Sequence, residues 1–316
     1  MNNAHILWAI NALNDHKYHI HTPIPELIQN TPWSEIYRFK TNQGFVFLKK
    51  TPPGLAIEPK IIGFLHKELQ ANVPAVIAAN LEQHCFLMQD AGIQLHEYFK
   101  ENFQADILIQ AMHNYSTLQI MTPSRVGLFL DMGVPDWRLE KLPKLYQDLI
   151  SHETLLLDDG LNKNELMRLK NLESKLLSIC DQLSSYLIKE TFGHADFHDK
   201  NILINTKTSQ ITLIDLGEVV ITHPFFSFHN CLHRAKENFS LSNAQYQQLR
   251  LACFKPWLAL DTEEHLFEIL EIMQQCWPIH SVLGEFRLMN SVDHAAFQQL
   301  RRQGRLAKSL RYWINH

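Results

Sequence analysis

No stretch of this chain stays apolar long enough to cross a bilayer. No charge of one sign dominates either: 29 Lys and Arg stand against 33 Asp and Glu, a formal net charge of -4. That balance gives no reason to expect nucleic acid or an anionic membrane as a partner. The five cysteines, Cys85, Cys180, Cys231, Cys253 and Cys276, are odd in number and nowhere at metal-ligand spacing. They read as small core residues in a reducing compartment. The opening MNNAHILWAI lacks a basic segment leading into an apolar one, so no secretion signal is expected and a cytoplasmic location is. Internal repeats and low-complexity tracts are missing as well. What is present is an ordinary globular composition, 46% hydrophobic and 20% charged over 316 residues, enough for two domains or one lobed unit.

The element pattern changes along the chain. WSEIYRFKT and GFVFLKK, residues 33–50, are rich in β-formers, and Asn42, Gln43 and Gly44 between them predict a hairpin turn. Thr51-Pro52-Pro53-Gly54 ends the second strand. A helix is expected from Pro59 to Leu69, then short strands near Val76–Ala78 and Cys85–Met88. From Leu95 to Leu118 the apolar spacing is helical, as it is over 142–150 and again from Leu166 to Leu187, and these leucines read as core. NILIN and ITLIDLG, within 201–217, return to strand, and helices resume from about Ser242. The order predicts an α+β protein: a small sheet-rich N-terminal part, a turn near Asp90–Gly92, and a mostly helical remainder with an embedded hairpin.

The segment that carries chemistry is His194-Ala195-Asp196-Phe197-His198-Asp199-Lys200-Asn201, followed by Ile214-Asp215-Leu216-Gly217. This is H-x-D-x-x-x-x-N on a loop, a short hairpin, then D-x-G at a strand end. In-line phosphoryl transfer needs a carboxylate beside the attacking hydroxyl and side-chain oxygens that hold Mg²⁺ against a triphosphate. In this layout Asp196 orients the acceptor hydroxyl and takes its proton, Asn201 and Asp215 are the Mg²⁺ ligands, and His194 braces the loop through backbone hydrogen bonds.

The segment GHADFHDKNILI…LIDLGE resembles the catalytic and metal-binding segments of the aminoglycoside phosphotransferase and choline kinase group, whose logic protein kinases share. The resemblance, over residues 30 to 235, implies a two-lobed protein-kinase-like fold. Residues 1–90 would form a small antiparallel-sheet nucleotide-binding lobe and 91–316 a larger helical lobe. It implies ATP, with GTP also open, as phosphate donor and a small hydroxyl compound as acceptor. By the same likeness Lys49 pairs with the α- and β-phosphates, with Lys50 as its rival one residue away. Phe47, on the face of Lys49, favours Lys49 and would lie near the adenine. Glu58 fixes the lysine by an ion pair, with Glu68 as the alternative. The backbones of Gln89 and Ala91 bond the adenine edge.

The pattern also departs from the family. Where a glycine-rich phosphate loop is usual, this chain has Thr31-Pro32-Trp33-Ser34-Glu35, and Ser34 is its small donor. That departure motivates a second reading, a non-catalytic kinase-like module that binds a nucleotide or a partner. A third takes His194, Asp196, His198 and Asp199 as a metallohydrolase site. Asp131, Asp136 and Glu218 are candidates to hold a cationic acceptor such as an amino sugar or amino alcohol. His223-Pro224-Phe225-Phe226 reads as lobe packing, with His223 the member that could face the cleft. His16, His19 and His21 read as surface histidines. Arg301, Arg302, Arg305, Lys308 and Arg311, opposite Phe297, Leu300, Ala307, Leu310 and Ile314, read as the solvated side of a packed last helix.

Overall fold

The computed structural model describes residues 4–292 and 302–316. The first five strands, β1 (Glu26–Thr31), β2 (Ser34–Thr41), β3 (Gly44–Lys50), β4 (Val76–Asn80) and β5 (Cys85–Gln89), form one antiparallel sheet in the order β1-β2-β3-β5-β4. The predicted hairpin closes through Asn42 and Gln43, with Gly44 at φ 104°. That left-handed conformation suits glycine.

Register assigns the two faces of this sheet, because directly opposed residues share a face and neighbours alternate. Val46, Leu48, Leu87 and Phe39 pack on helix α1 (Ala4–Asp15) through Ala9 and Leu13. The other face carries Ile36 opposite Lys49 and Phe47 opposite Met88; Ser34, two residues before Ile36, and Phe86, opposite Lys49, complete it. Beneath that face runs α2 (Glu58–Leu69), with Pro59 in its first turn as expected. Ile61, Ile62, Leu65 and Leu69 bury the stripe of α2 in a core continuous with the rest of the molecule.

The chain leaves the sheet at Asp90, whose carboxylate accepts the Gly92 amide at 3.0 Å. Gly92 has φ 126°, and a Cβ there would run into the Ile204 carbonyl. Strand β6 (Ile93–Gln94) then pairs with β8 (Ile202–Ile204), and β8 with β9 (Ile211–Leu213), the predicted second hairpin. Two strands that the sequence did not disclose, β7 (Thr191–His194) and β10 (Val219–Thr222), form a separate antiparallel pair.

Helices make up the remainder: α3 (Leu95–Tyr98), α4 (Ala105–Ile120), α5 (Val126–Asp131), α6 (Leu142–Ser151), α7 (Glu153–Asp158), α8 (Lys163–Lys170) and α9 (Glu173–Ser184) lie between β6 and β7. After them come α10 (Phe225–Asn238), α11 (Asn243–Phe254), α12 (Glu263–Asn290) and α13 (Arg305–Asn315). Two expected continuous helices are each divided. The run from Leu95 breaks between α3 and α4, and the leucine-rich run breaks at Asn171 and Leu172. The second break lets one apolar stripe serve two partners, α8 lying against α13 and α9 against α12. Helices also resume earlier than Ser242, at Phe225, because the aromatic run there is buried all round within the core. Of the last-helix positions, Phe297, Leu300 and Arg301 lie outside the described residues; Ala307 and Leu310 are buried on α13 as expected. Among the described residues no helix is long and apolar enough to cross a membrane.

Candidate active site

The loop after β7 is fixed by its first residue. The His194 amide donates to the Tyr115 hydroxyl at 2.7 Å, and its carbonyl accepts from Ser227 Oγ at 3.1 Å. Its ring bridges two segments: Nε2 donates to the Ile214 carbonyl at 2.9 Å and Nδ1 accepts the Asp196 amide at 3.3 Å. Burial lowers the pKa of the fully enclosed ring, and the neutral form with its proton on Nε2 satisfies both bonds. Tyr115, whose ring stacks on Phe197 at 4.1 Å, is a support that the sequence motif does not contain.

Asp196 follows on a turn. Its Oδ2 accepts from His198 Nε2 at 3.1 Å and from Asn201 Nδ2 at 3.3 Å, while Asn201 Nδ2 also holds the Asp196 carbonyl at 2.9 Å. Arg234 of α10 lies 3.6 Å from Oδ1. Burial works against ionisation, but the His198 hydrogen bond and the His198 and Arg234 charges prevail and hold the carboxyl far below the usual range. Asp199 is held by three side chains, His96 Nδ1 at 2.7 Å, the Asn238 amide at 3.3 Å and His198 Nδ1 at 3.5 Å. The four-residue metallohydrolase cluster is therefore not assembled. Both His194 nitrogens are committed to backbone, and no three His, Cys, Asp or Glu converge among the described residues as a metal would require.

The second arm is the loop after β9. Asp215 takes the left-handed conformation, φ 61°, uncommon for a residue with a Cβ. Its Oδ1 accepts from Lys49 Nζ at 2.6 Å, and Glu58 Oε2 lies 2.6 Å from the same ammonium. Glu58 Oε1 accepts the Leu216 amide at 3.1 Å. Helix α2, strand β3 and the Asp215 loop thus meet at one buried cation. Burial opposes the ammonium, yet Asp215 and Glu58 raise its pKa above the ordinary lysine value. Asp215 is held below its ordinary value by Lys49 in spite of burial. Glu58, buried and close to a second carboxylate, is pushed up. Arg287 of α12, which no local motif signals, clasps the loop by donating to the Gly217 and Val219 carbonyls at 3.0 and 3.1 Å.

Lys50 points to the opposite face of β3 and pairs with Glu35 at 2.8 Å, and Glu68 is half exposed on the outside of α2, 3.9 Å from Lys67. Ser34 opens β2 after the tight turn Pro32-Trp33, and its buried hydroxyl on the Lys49 face has no hydrogen-bond partner. The Gln89 amide is already bonded to the Ala75 carbonyl at 3.0 Å, which leaves its carbonyl for a ligand; the Ala91 amide takes no partner among the described residues.

Asp196, Asp215, Glu218 and Trp33 border one cavity of about 410 Å³. Two side-chain oxygens are uncommitted among the described contacts, Asp215 Oδ2 on this cavity and Asn201 Oδ1 on the residue that holds Asp196, the hard neutral-plus-anionic pair that suits Mg²⁺. Burial and the Asp196 and Asp215 charges raise Glu218 to about 8. The expected carboxylate trio for a cationic acceptor is not assembled: neither Asp131 nor Asp136 borders the cavity, and Asp136 is held by Arg138 at 2.9 and 2.7 Å. His223 does not face the cleft. It is wholly buried against Phe225, and burial lowers it to about 3.

A family model described as the phosphotransferase enzyme family matches residues 32–250, more than half of the chain. No curated protein sequence matches. Solved structures share the fold. An ethanolamine kinase of Plasmodium vivax superposes with a TM-score of 0.60 at 14% identity, covering 90% of this chain and 81% of its own. A macrolide 2'-phosphotransferase of Brachybacterium faecium gives 0.60 at 10% identity, over 96% and 97% of the two chains. Amicoumacin kinase, solved with AMP-PNP, Ca²⁺ and Ami, gives a TM-score of 0.62 at 11% identity, over 100% of this chain and 94% of its own.

Proposed function

The chain belongs to the phosphotransferase enzyme family, and from that premise we propose that it moves the γ-phosphoryl group of ATP to a hydroxyl of a small molecule. The observation that carries this reading is the Lys49 ammonium, 2.6 Å from both Glu58 and Asp215, beside a cavity that Asp196 also borders. We place the lobe boundary at residue 90, with 1–90 holding the nucleotide and 91–316 holding the catalytic loop and acceptor.

Asp196, kept ionised by His198 and Arg234, accepts the proton of the acceptor hydroxyl as its oxygen bonds to the γ-phosphorus. The bond from that phosphorus to the β–γ bridging oxygen breaks, and ADP leaves with the electron pair. Lys49 neutralises charge on the α- and β-phosphates, and the unpartnered Ser34 hydroxyl on the same face is free to donate to a phosphate oxygen. The Gln89 carbonyl and Ala91 amide face the adenine edge, above Phe47 and Met88. Asn201 Oδ1 and Asp215 Oδ2 would hold Mg²⁺, which when bound neutralises phosphate oxygens. His194 acts as the brace that sets Asp196. The work is positioning and charge compensation.

One observation favours the non-catalytic module instead: the phosphate turn is only Pro32 and Trp33 between paired strands, with no glycine. Turnover separates the two. In a nucleotide-consumption screen over hydroxyl compounds, Asp196→Ala should lower turnover by roughly a hundredfold or more while keeping the thermal shift that Mg-ATP gives the parent protein. A parent protein that consumes no nucleotide with any acceptor, or an Asp196→Ala protein with undiminished activity, would remove the catalytic reading.

A further inference from the structure

The cavity at Asp196 adjoins a larger one, about 730 Å³, walled by α10, α11, α12 and α13. Trp277, Ser281, Glu285 and Arg305 border both. No described residue of the five-stranded sheet, α1 or α2 borders the larger cavity, so it lies apart from Ser34 and Lys49 and belongs to the helical part alone.

Its charge is one-sided. Lys236, Arg250, Arg305 and Lys308 line it, and Glu285 is the one carboxylate on its wall among the described residues. Both Glu285 oxygens are taken by Arg302 at 2.6 Å, and Arg305 lies 3.8 Å from one of them, which leaves Lys236, Arg250 and Lys308 without a carboxylate partner among the described residues. Arg250 is the informative residue. It is only 8% exposed, set against the rings of Phe267 and Tyr246 at 5.3 and 6.0 Å, and one nitrogen donates to Gln247 Oε1 at 3.1 Å. Its Nε and Nη2 have no partner, and no carboxylate pairs with it among the described residues. His229 Nδ1, on the same wall, is also unpartnered. Buried guanidinium groups are ordinarily paired, because an uncompensated buried charge is costly. Several unmet polar atoms beside a roomy cavity therefore point to a ligand that completes them.

We propose that this cavity receives the acceptor, and that the acceptor is a small hydroxylated anion, a carboxylate or a phosphate ester. Arg250, Lys236 and Lys308 bind its negative group, and its hydroxyl reaches Asp196 across the shared wall. The inference rests on the phosphotransfer reading and narrows it: three uncompensated cations disfavour amino sugars and amino alcohols by like-charge repulsion.

Calorimetric titration tests this with four probes, each added to the full chain with and without Mg-ATP. D-gluconate and glycerol 1-phosphate represent the two anion types; D-glucose and ethanolamine are the neutral and cationic controls. At least one anion should bind, and which one binds distinguishes carboxylate from phosphate. Arg250→Met should weaken that binding roughly tenfold or more, and Lys308→Glu, at an exposed position that does not threaten folding, should weaken it in the same direction. Both variants should bind ATP as the parent does. Ethanolamine binding as tightly as the anions, neither anion binding while ATP does, or anion binding indifferent to both substitutions would overturn the proposal. Absent ATP binding with anion binding intact would instead remove the transfer reading and leave the anion site standing.

Discussion

Lys49 and Lys50 are adjacent in sequence and opposite in environment. Lys49 is 4% exposed between two carboxylates, whereas Lys50 reaches Glu35 on the other face of β3. A half-exposed cross-strand pair contributes little, while losing one member of a buried ionic cluster leaves its partners uncompensated. Lys49→Ala should therefore lower kcat/KM for ATP by about a hundredfold or more. Lys50→Ala should stay within about threefold, as expected for the loss of a weak surface pair. Steady-state kinetics at varied ATP checks both, and equal losses would contradict the assignment of faces. The residues that meet at Lys49 were legible because each sits in a short local pattern: a strand end, a helix start, a D-x-G. Arg287 and Tyr115 were not. Each owes its meaning to partners far away in sequence, and an isolated arginine or tyrosine announces no such partner.

At the scale of elements, the turn at Gly92 joins the two sheet systems. Its φ of 126° lies where only glycine is at ease, and the space a Cβ needs is filled by the Ile204 carbonyl of β8. Gly92→Ala should destabilise the protein by roughly 2–4 kcal/mol, the sum of strained backbone and a forced shift of β8. Urea denaturation measures it, and a loss below about 0.5 kcal/mol, the range of an ordinary surface change, would mean that the turn yields easily. The two hairpins and α2 were readable from alternation, turn residues and Pro59. The pair β7 and β10 was not, because each has four residues, all buried, with no alternation to detect. Helix α10 was missed for a related reason: Phe225-Phe226-Ser227-Phe228 is buried on every side, so it has no polar face to set a helical period.

For the molecule as a whole, the large lobe holds three neutral histidines besides His194. His223 and His280 are lowered by burial to about 3, and His229, by burial and the His233 and Arg250 charges, to about 4. His280 lies stacked on Phe226, and its Nε2, like that of His223, has no partner. In the unfolded chain each ring titrates near 6.5. Between these values the unfolded chain binds more protons than the folded one. The stability they contribute is thus fully present above about pH 6.5 and is lost as pH falls toward 4 and then 3. Near pH 5 each ring adds about 1.4 kcal/mol per pH unit to the slope, about 4 for the three together. Glu218, raised to about 8, acts in the opposite sense, losing its contribution as pH rises through that value. The absolute curve therefore mixes signs, and the difference between parent and variant isolates the histidines. Urea unfolding of His223→Phe and His280→Phe beside the parent at pH 7, 6 and 5 should show gaps that shift in the variants' favour by about 0.7 kcal/mol from pH 7 to 6 and about 1.2 kcal/mol from pH 6 to 5. Parallel pH curves would mean that these rings accept protons inside the fold, and that the core around Phe226 and Trp257 admits water.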